Sequence, residues 1–316
     1  MNKIGGFFEL ELPSARTYMP FKNMLALTSG RSCLNLILRE TNPKRVYIPF
    51  LSCPALIEPL RHNKIEFSYY ELDTGLNPCL SKPLRAREYL IYINYFGIKR
   101  STVDALIANF GDKVIVDNAQ AFFEDNTGSW AFNSARKFFG VPDGAFLFSP
   151  REVNTALKAN MDIQIDYLVN RLIGNQEVAY KQFLCSERRI TSQLRGISEV
   201  SARILKTVNF KEAADKRRKN FLFLCKRLKK FNSLKFNFPV KSVPLCYPFL
   251  PERAIDKTIL HKNGIFVPTY WKQSAIARLP DFETSFIHRL LPLPVDQRYG
   301  IREMMFVADN VCRLIT

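Results

Sequence analysis

Two short segments hold residue types that could do chemistry together. Val114-Ile115-Val116-Asp117-Asn118-Ala119-Gln120 is an apolar run that ends in a carboxylate, and Phe132-Asn133-Ser134-Ala135-Arg136-Lys137-Phe138-Phe139-Gly140 sets a lysine just before the apolar run Gly144 to Phe148. Asp117 and Lys137 are therefore an acid and an amine at neighbouring strand ends. An unpaired buried charge costs several kcal/mol, so a carboxylate closing so apolar a run needs a partner. A buried acid can hold a protonated pyridine nitrogen, and a lysine can form a Schiff base. Together they are what pyridoxal phosphate chemistry requires. Taken singly, Asp117 is equally a turn-capping loop residue and Lys137 one more surface lysine of a basic chain.

The elements that would position this pair read as an α/β alternation. Leu25 to Thr28 leads into Ser29-Gly30-Arg31-Ser32, after which Leu34, Ile37 and Leu38 recur at helical spacing. Strands are expected at Arg45 to Pro49, Glu66 to Leu72 and Leu90 to Asn94 and in the run that ends at Asp117, with helices from Ala55 to His62 and around Ala105 to Ile107. Such alternation gives a mostly parallel sheet with helices on its faces, whose ligand site lies at the carboxyl ends of the strands. Asp117 falls at such an end.

From about Asn154 to Lys230 the pattern turns to long helical periodicity, with basic clusters at 216–219 and 226–230 that read as the solvated face of a helix. Beyond it, short strands are expected around Pro244 to Pro248 and Gly264 to Pro268, then a closing helix from Ile301 to Leu314. The expected division is a large α/β domain over 1–215 and a smaller α+β domain over 216–316. No internal repeat or low-complexity linker interrupts them.

The net charge of +17 favours anionic partners such as phosphorylated metabolites, nucleotides or nucleic acid. No DNA- or RNA-binding motif accompanies the basic helix of 211–230, so nucleic-acid binding is the less favoured reading and no nucleic-acid partner is expected. Seven scattered cysteines without a Cys-x-x-Cys pair, beside only three histidines, support neither a disulfide framework nor a zinc site, and no metal is expected. No apolar run approaches the ~20 residues that cross a bilayer, and Met1-Asn2-Lys3-Ile4-Gly5-Gly6 lacks the layout of a signal peptide. The expectation is a cytoplasmic protein with no membrane partner.

Several segments in order resemble the DegT/DnrJ/StrS family of sugar aminotransferases: Thr28 to Ser32, Ile48 to Ser52, Val116 to Ala121, Lys137 with Gly144-Ala145, Ile197 to Arg203, and Leu290 to Pro294. The resemblance spans nearly the whole chain and implies a short, divergent member. It implies a fold-type-I pyridoxal phosphate enzyme, a homodimer, that takes nitrogen from an amino acid donor and aminates a keto sugar nucleotide, as in cell-surface polysaccharide biosynthesis. By the same resemblance Lys137 is the Schiff-base residue and catalytic acid/base, Asp117 faces the pyridine nitrogen, and Gln120 lies near the ring hydroxyl.

Gly30, Arg31 and Ser32 match the phosphate-binding helix start, where backbone N–H groups and the helix dipole favour an anion. A capped helix start with no ligand is the bland alternative. Arg31 stands where the family has Thr and either adds a charged contact or points to solvent. Ser134 is the candidate for a phosphate hydroxyl, with Phe132 in the place of the usual serine. Cys53 occupies the position of the aromatic residue that stacks on the ring, and Asn94 that of a common His. The partner subunit's usual phosphate Asn has no clear counterpart near Leu194, and the loops over 73–90 and 122–130 are short. These departures keep open a divergent protein with a different amine substrate or no catalysis.

Overall fold

The computed structural model describes residues 10, 12–13, 19–21, 23–125, 128–238, 241–271 and 279–315; the Met1 to Gly6 stretch considered above lies outside them. The strands are β1 Met24–Leu27, β2 Arg45–Pro49, β3 Glu66–Leu72, β4 Pro78–Cys79, β5 Glu88–Ile93, β6 Val114–Asn118, β7 Trp130–Asn133, β8 Ala145–Phe148, β9 Cys246–Phe249 and β10 Leu291–Pro294. The helices are α1 Gly30–Thr41, α2 Ile57–His62, α3 Arg100–Phe110, α4 Asp166–Leu172, α5 Gln176–Arg189, α6 Glu199–Lys206, α7 Phe210–Leu228, α8 Lys257–Lys262, α9 Asp281–Arg289 and α10 Ile301–Ile315.

Eight strands form one sheet in the order β1-β8-β7-β6-β5-β2-β3-β4. β3, β2, β5, β6 and β7 run parallel, and β8 runs antiparallel to both β7 and β1. The expected mostly parallel sheet flanked by helices is present. Its centre is buried on both faces: all of β6 is buried, and Leu90, Ile91, Tyr92 and Ile93 of β5 are core. Side chains of this size contribute about 1.5–3 kcal/mol each when withdrawn from water.

α1 begins because Ser29 caps it, accepting a hydrogen bond from the Ser32 amide at 3.2 Å, and it ends at Asn42 in a left-handed turn with φ 42°. Cys33, Leu34, Leu36, Ile37 and Leu38 sink it into the core.

A second sheet pairs β9 with β10, and α7 packs against β9 and α10. α7 runs unbroken across residues 215 and 216. Residues 154–165 are not helical despite their helical pattern. They lie against Gly196, whose amide bonds the Lys158 carbonyl at 2.8 Å, and Ala159 bridges to Gly196. Nor is there a strand over Gly264–Pro268; that stretch follows α8 as a turn and irregular chain. All seven cysteines are free thiols, and among the described residues no helix is long and apolar enough to cross a membrane.

Candidate active site

Asp117 lies in β6 with 7% of its surface exposed, and its Oδ1 accepts the Ala119 amide at 2.7 Å. Burial pushes its carboxyl above the ordinary range, while the Lys137 ammonium and the Ala119 amide pull the other way. The lysine thus acts electrostatically on the acid, as the two strand ends suggested. β6 and β7 pair in parallel with Asp117 opposite Phe132, and the chain leaves β7 through a tight turn, Ala135–Lys137. Lys137 ends that turn with its side chain exposed.

Backbone hydrogen bonds fix the turn and tie it to α1. The Ala135 amide bonds the Gly144 carbonyl at 3.0 Å, and the Gly144 amide bonds the Thr28 carbonyl at 2.8 Å. Gly144 has φ +122°, a backbone that L side chains rarely adopt. The first turn of α1 lies close enough that the Asp117 charge, after burial, is a further cause of the raised Cys33 thiol pKa. The acid, the amine and the helix start therefore share one region.

The remaining expected residues take varied positions. Gln120 is buried, with Oε1 accepting the Phe96 amide at 2.8 Å. That contact rests on a turn in which Phe96 and Gly97 both have positive φ, and a Cβ on Gly97 would lie 2.8 Å from the carbonyl oxygens of Gln120 and Val243. Ser32 is fully buried, its hydroxyl donating to the Gln193 carbonyl at 2.8 Å, and Ser29 donates to Thr191 at 3.3 Å. Arg31 Nε sits 3.5 Å from Glu58 Oε2, so its guanidinium faces a carboxylate.

Ser134 is half-buried at the start of the lysine turn without capping it. Cys53 is exposed ahead of the short turn Pro54–Leu56. Asn94 is locked away, donating to Asn118 at 3.1 Å and accepting from the Lys99 amide at 3.0 Å.

Arginines that the sequence pattern did not single out gather beside the helix start. A cavity of about 110 Å³ is lined by Thr28, Ser29, Arg136, Arg189, Thr191 and Arg195, among others. Arg136 pairs with Glu187, and its Nε is buried with no hydrogen-bond partner among the described residues. Lysine turn, α5 and the following loop supply these arginines from distant parts of the chain, so no local motif announces them.

The observed strand order and coverage decide the comparison with solved structures. The fold is that of the DegT/DnrJ/EryC1/StrS aminotransferases. One such aminotransferase, from Brucella abortus, superposes with a TM-score of 0.64 at 16% identity, covering 93% of this chain and 86% of its own. The sugar aminotransferase CalS13 from Micromonospora echinospora gives 0.61 at 17%, covering 91% and 86%. Spr1654 from Streptococcus pneumoniae, in its PLP form, gives 0.63 at 14%, covering 93% and 88%. No protein-family model and no curated protein matches the sequence. The resemblance read from the sequence thus holds in three dimensions at the level of fold.

The residues of this DegT-type fold suit pyridoxal phosphate at three points: a buried acid, an exposed amine acting on it, and a helix start. At that start, among the described residues, no hydrogen bond satisfies the Gly30 and Arg31 amides. The Ser32 hydroxyl, already given to Gln193, is a departure from the expected set.

Proposed function

We propose that the protein is a pyridoxal phosphate-dependent aminotransferase acting on a keto sugar nucleotide, with an amino acid as nitrogen donor. The observation that carries this reading is the placement of Asp117, Lys137 and the α1 start in one region. The neighbours supply context: CalS13 is a sugar aminotransferase, and Spr1654 was crystallised in a PLP form.

When bound, the cofactor supplies an electron sink that stabilises negative charge on the substrate carbon bearing the amine. In this reading Asp117 holds the proton on the ring nitrogen. Its burial makes an unpartnered negative charge costly, so a cationic N–H is the partner that relieves it. Gln120, fixed by Phe96, would lie near the ring hydroxyl, and the Gly30 and Arg31 amides with Ser134 would form the phosphate side, the Ser32 hydroxyl being held by Gln193. Lys137 Nζ would hold the cofactor and move the proton at the substrate carbon. Cys53 would offer the ring face a thiol in place of an aromatic side chain.

The net charge of +17 suits a diphosphate-linked acceptor. The proposal extends to a cytoplasmic homodimer serving cell-surface polysaccharide synthesis. It includes a smaller C-terminal unit over 216–316, built on β9 and β10, with α7 spanning the join. The exposed Cys53 and the diverted Ser32 hydroxyl favour, as a second reading, the same cofactor chemistry on a different amine.

The test supplies pyridoxal phosphate, an amino acid donor such as glutamate, and a panel of nucleotide-linked keto sugars, with amino-sugar product followed by mass. Turnover that disappears in Lys137→Ala supports the reading. Transfer to simple keto acids alone selects the second reading, and no transfer from any donor removes both.

A further inference from the structure

The cluster Lys216-Arg217-Arg218-Lys219 contains a residue that is not on the solvated face of α7. Arg217 is 2% exposed, and among the described residues its guanidinium is hydrogen-bonded to an amide side chain and backbone carbonyls rather than to a carboxylate. Nε donates to Gln297 Oε1 at 2.7 Å, Nη1 to the carbonyls of Pro244 and Leu245 at 3.2 Å each, and Nη2 to the Phe138 carbonyl at 3.4 Å. The guanidinium carbon lies 4.5 Å over the Phe138 ring. Gln297 closes the arrangement, donating from Nε2 to the same Phe138 carbonyl at 2.7 Å. Two side chains from the C-terminal part of the chain therefore converge on one backbone oxygen, that of the residue after Lys137.

A buried cation is expensive even with the Asp296 carboxylate acting on it electrostatically, and an apolar residue of similar volume would fill the space at lower cost. Burial lowers the Arg217 pKa to about 10, which still leaves it charged at neutral pH. Its hydrogen bonds to carbonyls offset part of that cost, and the carbonyl of Phe138 sits where holding it matters. The Phe138 ring is also packed against Phe122 and Phe123, with centroids 5.7 and 6.1 Å away. Ring and carbonyl are thus both fixed, which restrains the backbone of the lysine turn.

We propose that Arg217 and Gln297 are positioning residues for Lys137, coupling α7 and the segment between β10 and α10 to the placement of the reactive amine. The inference rests on Lys137 being that amine, and the test needs no cofactor, so its failure is separable from failure of the aminotransferase reading.

Gln297→Glu is the discriminating variant. The carboxylate keeps the side-chain length and still accepts from Arg217 Nε, but it cannot donate to the Phe138 carbonyl. Gln297→Met, which removes both contacts, is the second variant should the first not fold. Cofactor-free protein is labelled by reductive methylation with limiting formaldehyde, and peptide mass spectrometry reads Lys137 against the exposed Lys64. A turn released from its carbonyl clamp no longer holds the exposed Lys137 amine beside the Asp117 carboxylate that acts on it, and the freed amine reacts more often. The Lys137 to Lys64 ratio should rise roughly threefold to tenfold, the equilibrium worth of one hydrogen bond. The double loss in Gln297→Met should give at least the same rise. An unchanged or lower ratio in either folded variant would overturn the proposal, since a purely structural clamp moves the unfolding midpoint without touching this ratio.

Discussion

Replacing Gly97 by alanine tests whether the buried turn that holds Gln120 is as constrained as the geometry requires. Gly97 has φ +73°, and a Cβ there would lie 2.8 Å from two backbone carbonyl oxygens, Gln120 and Val243. The left-handed backbone costs an L residue about 1–2 kcal/mol. Neither oxygen is the free end of a side chain, so the backbone must shift, which adds about 1–3 kcal/mol as in an overpacked core. The sum is about 2–5 kcal/mol.

Gly144→Ala is the comparison. Its φ of +122° is also unfavourable, but the close contact there is Ile197 Cδ1 at 2.9 Å, the far end of a flexible side chain. Its cost is the conformational part alone, about 1–3 kcal/mol. Urea unfolding of the cofactor-free proteins, followed by fluorescence of Trp130 and Trp271, would measure both at a common slope. Gly97→Ala should be the less stable of the two. If it unfolds at or above the midpoint of Gly144→Ala, the close approach of the Phe96-Gly97 turn to Gln120 is wrong, and so is the placement of Gln120 that depends on it.

Two further outcomes follow from the site and its supports. Asp117 has a folded-state pKa raised by burial, so its ionisation weakens the fold as pH rises through that value, and the penalty is absent below the unfolded-state pKa. Cofactor-free Asp117→Asn should therefore melt higher than wild type at pH 8, with the difference closing toward acid; a constant difference across pH would show that the carboxyl is not buried uncompensated. Ser198 caps α6, accepting the Ser201 amide at 3.2 Å, and donates to Asp143 at 2.7 Å. Ser198→Ala should cost about 1–3 kcal/mol in denaturant unfolding, from the lost cap and a donor lost to a buried carboxylate, and a cost below half a kcal/mol would contradict that arrangement.

The central sheet was legible because buried parallel strands are short apolar runs separated by helical periodicity, and Asp117 stood out as the charge ending one of them. The α1 start was legible from Ser29-Gly30 ahead of a helical pattern. Arg217 was not, because composition marks it as one of four consecutive basic residues. Helical register would have marked it differently: Phe210, Ala213, Ala214, Phe221, Leu224 and Leu228 are buried on α7, and Arg217 lies on the same stripe. Arg136, Arg189 and Arg195 meet only because the chain returns to the α1 start after α5. The Gly264 to Pro268 run is apolar and short, which fits a strand, but no neighbouring strand is there to pair with it among the described residues.

The central claim is that Lys137, Asp117 and the α1 start form one pyridoxal phosphate site. It is tested most directly by adding the cofactor, reducing with borohydride, and mapping the modified lysine by peptide mass spectrometry across all lysines of the chain. The account predicts stoichiometric modification at Lys137, lost in Lys137→Ala and weakened in Asp117→Asn. Modification spread over surface lysines, with Lys137 no more reactive than the rest, would contradict it.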